Sequence, residues 1–290
     1  MRTIPLSVSG IFIGTGLAWR EGFSDTSITI WAVITTICFQ ITSNFANDYG
    51  DGIKGTDNQD RLGPDRAVQS GLLSAHSMKR GVLVMVGLSI LSIIGVLAAA
   101  FGPENIGYIV LFALLGVFSI WAAIKYTVGA DAYGYSGLGD IFVFGFFGLL
   151  SVLGSYFLYT KQLTATAWLP AAAIGFLCTA VLNLNNLRDI DNDKESGKRT
   201  LVVQLGNKWG RIYHYTLLML ALFCMLLYNM LESNRGIQLL HLIAFLPLLV
   251  HVLKIRKKDS PTSLDPELKK VALSTFAMSV LFLIGYYYFL

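Results

Sequence analysis

The chain has 290 residues, of which 54% are hydrophobic and only 14% charged. Its mean hydropathy of +0.60 is well above what a water-soluble domain of this length needs to fill a core, and this excludes that class. The formal net charge of +4 does not indicate nucleic acid, because the bases flank apolar runs and are interleaved with acids, an arrangement that suits an anionic lipid surface.

Nine apolar stretches are long enough to cross about 30 Å of hydrocarbon at roughly 1.5 Å per residue. They fall at 4–19, 27–46, 80–101, 105–124, 139–160, 167–187, 212–231, 238–253 and 269–290. Lipid offers no partner to backbone N–H and C=O groups, so each stretch is predicted to be a helix. The expected fold is therefore all-α: a polytopic membrane protein with a bundle of about nine transmembrane helices, in a single domain over 1–290. The first stretch follows Met1 and Arg2 as a signal peptide would, but it lacks a small-residue cleavage site and eight more spans follow it. It is read as a retained helix. Gly10 and Gly14 within it form a GxxxG, which could join helices within the chain or between chains. The eighth stretch is short and carries Pro247, with His241 and His251 near its ends. Cys38, Cys178 and Cys224 lie inside spans without CxxC spacing and read as packing residues.

Basic residues orient the bundle. With the N-terminus cytoplasmic, only Arg20, Lys161 and Arg235 of the 22 Lys and Arg fall outside, as the positive-inside rule requires of an odd number of spans. The long polar segments 47–79, 125–138, 188–211 and 254–268 all lie on the cytoplasmic side. The polar chemistry is expected there, at the cytoplasmic face of the membrane.

Two of these segments are alike. The second span ends in NFANDYGD and the sixth in NNLRDIDNDKESGKRT. On a helix Asn44, Asn47, Asp48 and Asp51 share one face, and Asn185, Asn186, Asp189 and Asp193 make a comparable stripe. The likeness suggests a duplicated helical unit with two acidic faces at one membrane depth. Carboxylates at a helix C-terminus oppose the macrodipole unless a cation offsets them. All-oxygen donors suit a hard divalent ion such as Mg2+, which takes few carboxylates and shares itself with substrate phosphates. The aspartate spacing does not fit an EF-hand. Lys54, Arg61 and Arg66 follow the first acidic segment, and Lys198 and Arg199 follow the second. Such bases beside a bound cation suit a diphosphate. No Walker loop or GxGxxG is present to hold a nucleotide. Tyr126, Tyr133, Tyr135, Phe142, Phe144, Phe146 and Phe147 gather at the cytoplasmic start of the fifth span. His76 reads as an ordinary loop histidine, and no residue declares itself a general base.

NFANDYGDGIKGTD, GPDRAVQSG, KYTVGADAYGYSGLGDIFVF and NNLRDIDNDKESGKRTLVVQLG, in this order, resemble the UbiA superfamily of intramembrane aromatic prenyltransferases. Within it they are most similar to the 1,4-dihydroxy-2-naphthoate polyprenyltransferases of menaquinone synthesis. The resemblance implies that polyprenyl diphosphate is coupled to 1,4-dihydroxy-2-naphthoate with release of diphosphate and carbon dioxide. It implies Mg2+ held by Asn47, Asp48, Asp51, Asp57, Asp189 and Asp193. Asp48, Asp51, Asp189, Asp193, Lys198 and Arg199 would be the catalytic set, and Asn44, Asn47, Lys54, Arg66, Tyr126, Asn186 and Arg188 would contact substrate. The superfamily's first motif often reads N-D-x-x-D-x-x-x-D; here Gly55 takes the last place and Asp57 follows it, which leaves Asp57 open, as it does the additional Asp191. The aromatic residues would shield an allylic cation through their ring faces. Two rivals remain: transfer to another aromatic acceptor such as a hydroxybenzoate or homogentisate, and a cation-coupled transporter. The transporter would need acids near mid-span, whereas these lie at helix ends.

Overall fold

The structure, a computed structural model, describes residues 3–56, 66–255 and 261–287. Asp57 and Arg61 lie outside the described residues. All regular elements among those described are helical. In chain order they are α1 (Ile4–Arg20), α2 (Thr26–Lys54), α3 (Ala75–Ala100), α4 (Ile106–Lys125), α5 (Gly139–Thr160), α6 (Trp168–Arg188), α7 (Ile190–Glu195), α8 (Leu201–Leu231), α9 (Gly236–Ile255) and α10 (Asp265–Tyr287). Eight of these, all but α1 and the short α7, are long and apolar enough to cross a membrane. With its 17 residues, α1 spans roughly 25 Å at about 1.5 Å per residue and completes the bundle of about nine that hydropathy predicts.

Local chemistry sets the helix ends. The Asp25 carboxylate caps α2 by accepting from the Ser27 amide at 2.7 Å and the Ile28 amide at 3.3 Å. Gly55 ends the same helix at φ +71°, a left-handed conformation that glycine adopts without strain. Ser74 caps α3, its Oγ accepting from the Ser77 amide at 3.1 Å. With 29 residues, α2 is longer than the hydrocarbon is thick, so its acidic last turns stand beyond the apolar layer.

Packing places α1 at the centre, against α2, α5 and α10. A Cβ on Gly10 or Gly14 would collide with the side chains of Ser151 and Ser155. The GxxxG therefore joins α1 to α5 within the chain. Hydroxyls tie α2 to α3, through Thr42 and Ser89 at 3.2 Å and Thr35 to the Ser92 carbonyl at 3.1 Å. Buried polar groups join the last three long helices: His214 and His251 meet through their Nε2 atoms at 2.8 Å, and His251 Nδ1 lies 2.8 Å from Glu267. Outer faces are apolar and exposed, with Leu83, Val84, Leu91 and Ile94 on α3 and Val110, Leu114 and Val117 on α4. In water such a surface would drive association, but against lipid it is matched.

Three elements depart from the simplest reading of the spans. Residues Phe144–Leu150 of α5 form a π-helical turn, where a Cβ on Gly148 would sit 2.5 Å from the Gly175 Cα. The two backbones touch there, and the wider turn re-aims the phenylalanines. The seventh span, expected from residue 212, is helical from Leu201, with a break at Gly206 (φ +77°). The first half of α9, Gly236–Phe245, is a 3-10 helix, and Pro247 is the second residue of the α-helical half. There its missing N–H breaks least.

Candidate functional site

The ends of α2 and α6 both line one cavity of about 440 Å3. Its polar end carries Asn44, Asn47, Asp51, Arg66, Asn185, Asn186 and Lys198. Its walls carry Tyr126, Tyr133, Phe142, Phe146 and Phe147, and its far end Ile93, Val96, Leu97, Phe112 and Leu158. Charge, aromatic surface and hydrocarbon thus follow one another along a single space.

The first acidic face divides its work. Asp51 turns to the cavity, where Oδ1 accepts from the Tyr135 hydroxyl at 2.7 Å and Oδ2 lies 3.9 Å from Arg66 Nη2. Asp48 does not line the cavity. Its two oxygens accept from the Ala67 amide at 3.0 Å and the Val68 amide at 3.2 Å, so it anchors the segment that delivers Arg66. Asn44 accepts from Gln40 Nε2 at 3.1 Å, and Asn47 Oδ1 accepts from the Thr127 hydroxyl at 3.2 Å. Gly50 permits that closeness, since a Cβ there would meet Thr127 Oγ1 at 2.7 Å.

The second acidic face is not one continuous helix. Its stripe is interrupted at Asp189, between α6 and the short α7. Arg188 binds Asp189 through Nε at 2.9 Å and Nη2 at 2.7 Å, donates from Nη1 to Asp265 at 2.8 Å and from Nη2 to Asn185 at 2.8 Å. That buried guanidinium, with all these donors engaged, ties α6 to α10 instead of facing the cavity. Asp193 is buried, with Lys198 Nζ at 3.8 Å from Oδ1. Lys198 lines the cavity, whereas Arg199 and Lys54 are exposed and do not. The two acidic segments are bridged directly where Asn192 Nδ2 donates to the Thr56 carbonyl at 3.2 Å, and the Arg199 amide donates to the Tyr135 carbonyl of the intervening segment at 3.0 Å.

The aromatic residues form a chain of rings. Tyr126 meets Tyr133 at 5.4 Å between centroids, Tyr133 stacks on Phe142 at 3.9 Å, and Phe142 lies 6.0 Å from Phe146. Phe144 turns away to Phe176 at 4.9 Å. Burial pushes the Tyr126 and Tyr133 phenols up from their usual range, so both stay protonated at neutral pH and act as donors or ring faces instead of bases. None of the four histidines lines the cavity.

Among the described residues no three His, Cys, Asp or Glu side chains stand close enough to hold a metal ion between them. The donors nonetheless fit Mg2+ that arrives with a diphosphate. One or two carboxylates, carboxamide oxygens and water commonly complete such a site around substrate phosphates, and Asp51 with Asn47 and Asn186 offers that set in one cavity. Gln40 and Asn185 also line it. Asn185 belongs to the second stripe already read from sequence, and Gln40 could have been found from its spacing, one turn before Asn44.

A family model described as the UbiA prenyltransferase family matches residues 7–267. The chain is 44% identical to the 1,4-dihydroxy-2-naphthoate octaprenyltransferase of Escherichia coli, over 98% of this chain and 92% of that one. The Haemophilus influenzae protein of the same name is 41% identical over the same shares. Among solved structures, a UbiA homologue from Aeropyrum pernix matches with TM-score 0.72 at 14% identity, covering 97% of this chain and 96% of that one. A homologue from Archaeoglobus fulgidus bound to GPP and Mg2+ matches with TM-score 0.65 at 13% identity, covering 99% and 98%. At such identities the structural matches speak for the fold.

Proposed function

The chain belongs to the UbiA prenyltransferase family, and on that premise we propose that it transfers a polyprenyl group from polyprenyl diphosphate to 1,4-dihydroxy-2-naphthoate. Diphosphate and carbon dioxide leave, and the product is the prenylated naphthoquinol, the reduced form of demethylmenaquinone. The observation that carries this reading is the single cavity, polar at one end, aromatic along its walls and apolar at its depth.

Each zone has a task. Lys198 and Arg66 face the diphosphate, offering a point charge and a planar fork to its oxygens. Asp51, Asn47 and Asn186 would hold Mg2+, which when bound neutralises diphosphate charge and makes it a better leaving group. The prenyl C1–O bond breaks with its electron pair leaving on the diphosphate, and C1 becomes part of an allylic cation. Tyr126, Tyr133, Phe142 and Phe146 line its surroundings, where ring faces attract a cation and exclude water. The electron-rich naphthoate ring then bonds to C1, and loss of its carboxylate as carbon dioxide restores aromaticity. Ile93, Val96, Leu97 and Leu158 receive the isoprenoid tail. The bases on the polar side support reading this end as the cytoplasmic one.

The test is incubation of purified protein with a polyprenyl diphosphate, Mg2+ and 1,4-dihydroxy-2-naphthoate, with product identified by mass spectrometry. A prenylated naphthoquinol lacking the carboxylate is expected. Product formed only from hydroxybenzoate or homogentisate would keep the cavity's reading and replace the acceptor. No product with any of these acceptors would overturn the proposal.

A further inference from the structure

Tyr135 stands where the two acidic segments meet, and it holds one acid and two bases at once. Its hydroxyl donates to Asp51 Oδ1 at 2.7 Å and shares a hydrogen bond with the Thr56 hydroxyl at 2.6 Å. Lys54 Nζ lies 3.9 Å from the centre of its ring and Lys198 Nζ 5.3 Å from it. The first lysine belongs to the end of α2 and the second to the segment after α7. Its carbonyl accepts from the Arg199 amide at 3.0 Å, so the backbone of the second segment is fixed to the same residue.

Two ammonium groups on one ring repel each other, and a ring face holds an ammonium more weakly than a phosphate oxygen does. A diphosphate bound beside the ring therefore adds a stronger contact to each ammonium and relieves their repulsion, while the ring keeps both side chains in place. The Tyr135 hydroxyl makes a separate contribution: it fixes one oxygen of Asp51 and leaves Oδ2 directed toward Arg66. Ring and hydroxyl thus act on different groups.

We propose that Tyr135 is a positioning residue that orients Asp51 through its hydroxyl and holds Lys54 and Lys198 over its ring, in place for the diphosphate and still in place once it has bound. This role rests on the reading of the cavity as a diphosphate site. Lys54 reaches the reaction only through this placement, since it is exposed and does not line the cavity.

The experiment compares Tyr135→Phe, Tyr135→Trp and Tyr135→Leu with wild type in two measurements. The first is calorimetric binding of inorganic diphosphate across a Mg2+ series, without acceptor. The second is steady-state kinetics for the prenyl diphosphate. Tyr135→Phe keeps the ring, so diphosphate affinity at saturating Mg2+ is expected to stay within about twofold, while the Mg2+ concentration for half-saturation rises about fivefold or more. Tyr135→Leu loses both functions, and diphosphate affinity is expected to fall about tenfold even at saturating Mg2+, with KM rising in step. Tyr135→Trp offers a ring without the hydroxyl and is expected to behave as the phenylalanine variant does, which keeps the ring's part testable where the leucine variant does not fold. Equal losses in the phenylalanine and leucine variants, or wild-type behaviour in the folded leucine variant, would overturn the role; so would a tryptophan variant that binds diphosphate as weakly as a folded leucine variant. Failure of the wild type itself to bind diphosphate with Mg2+ would overturn the reading of the site, and this role with it.

Discussion

Asp48 and Asp51 are three residues apart on one helix, yet their carboxylates do different things. Asp51 faces the cavity beside Arg66, while Asp48 is spent on two backbone amides. Asp51→Asn is accordingly expected to lower kcat/KM about 100-fold or more with little change in thermal stability. Asp48→Ala is expected to remove two charge-assisted hydrogen bonds and about 2–3 kcal/mol of stability, visible as a lower Tm in detergent. A similar division separates the bases. Lys198→Ala is expected to raise the KM for prenyl diphosphate about tenfold, more than Arg199→Ala, because only Lys198 lines the cavity. Arg188→Ala leaves Asp189 buried and uncompensated, at a cost of about 3–5 kcal/mol, so thermal stability and folded yield should fall before any change in KM is measurable. Residue types and spacing were enough to single out these groups from sequence. They could not tell cavity-facing from anchoring residues, because that depends on what the loop at 66–68 and the start of α10 bring to the other side.

Elements were legible to the degree that their signal is local. Hydropathy runs of this length leave the backbone no alternative to helix, and α5 begins and ends at the residues expected of it, Gly139 and Thr160. The π turn at Phe144–Leu150, the break at Gly206 and the 3-10 half of α9 escaped that reading. Each answers to a neighbouring helix or to one backbone angle, neither of which leaves a periodic trace. The GxxxG of α1 is a related case, since the pattern says that something approaches closely without saying what. The structure gives the partner as α5, with Ser151, Ser155 and backbone atoms of Val152 and Tyr156 against the glycines. Gly14→Ala is expected to push these helices apart and cost about 1–3 kcal/mol, read as a lower Tm with the protein still monodisperse in size-exclusion chromatography.

At the scale of the molecule, the asymmetry of basic residues gives a testable orientation. In a background without Cys38, Cys178 and Cys224, a cysteine at Ser70 is expected to react with a membrane-impermeant maleimide only after the cells are opened, and one at Gln162 in intact cells. The reverse pattern would invert the bundle. The polar and apolar ends of the cavity were foreseeable separately, one from the acidic segments and the other from the spans. Their continuity was not, because it depends on how α1 to α6 enclose a common space. That continuity bears on how rates should be measured. A substrate whose tail lies among Ile93, Val96, Leu97 and Phe112 reaches the protein from a two-dimensional phase, so the concentration that governs turnover is its mole fraction in bilayer or micelle. Adding detergent at constant substrate molarity should then slow the reaction by surface dilution, and apparent constants quoted per litre will describe the micelle as much as the enzyme.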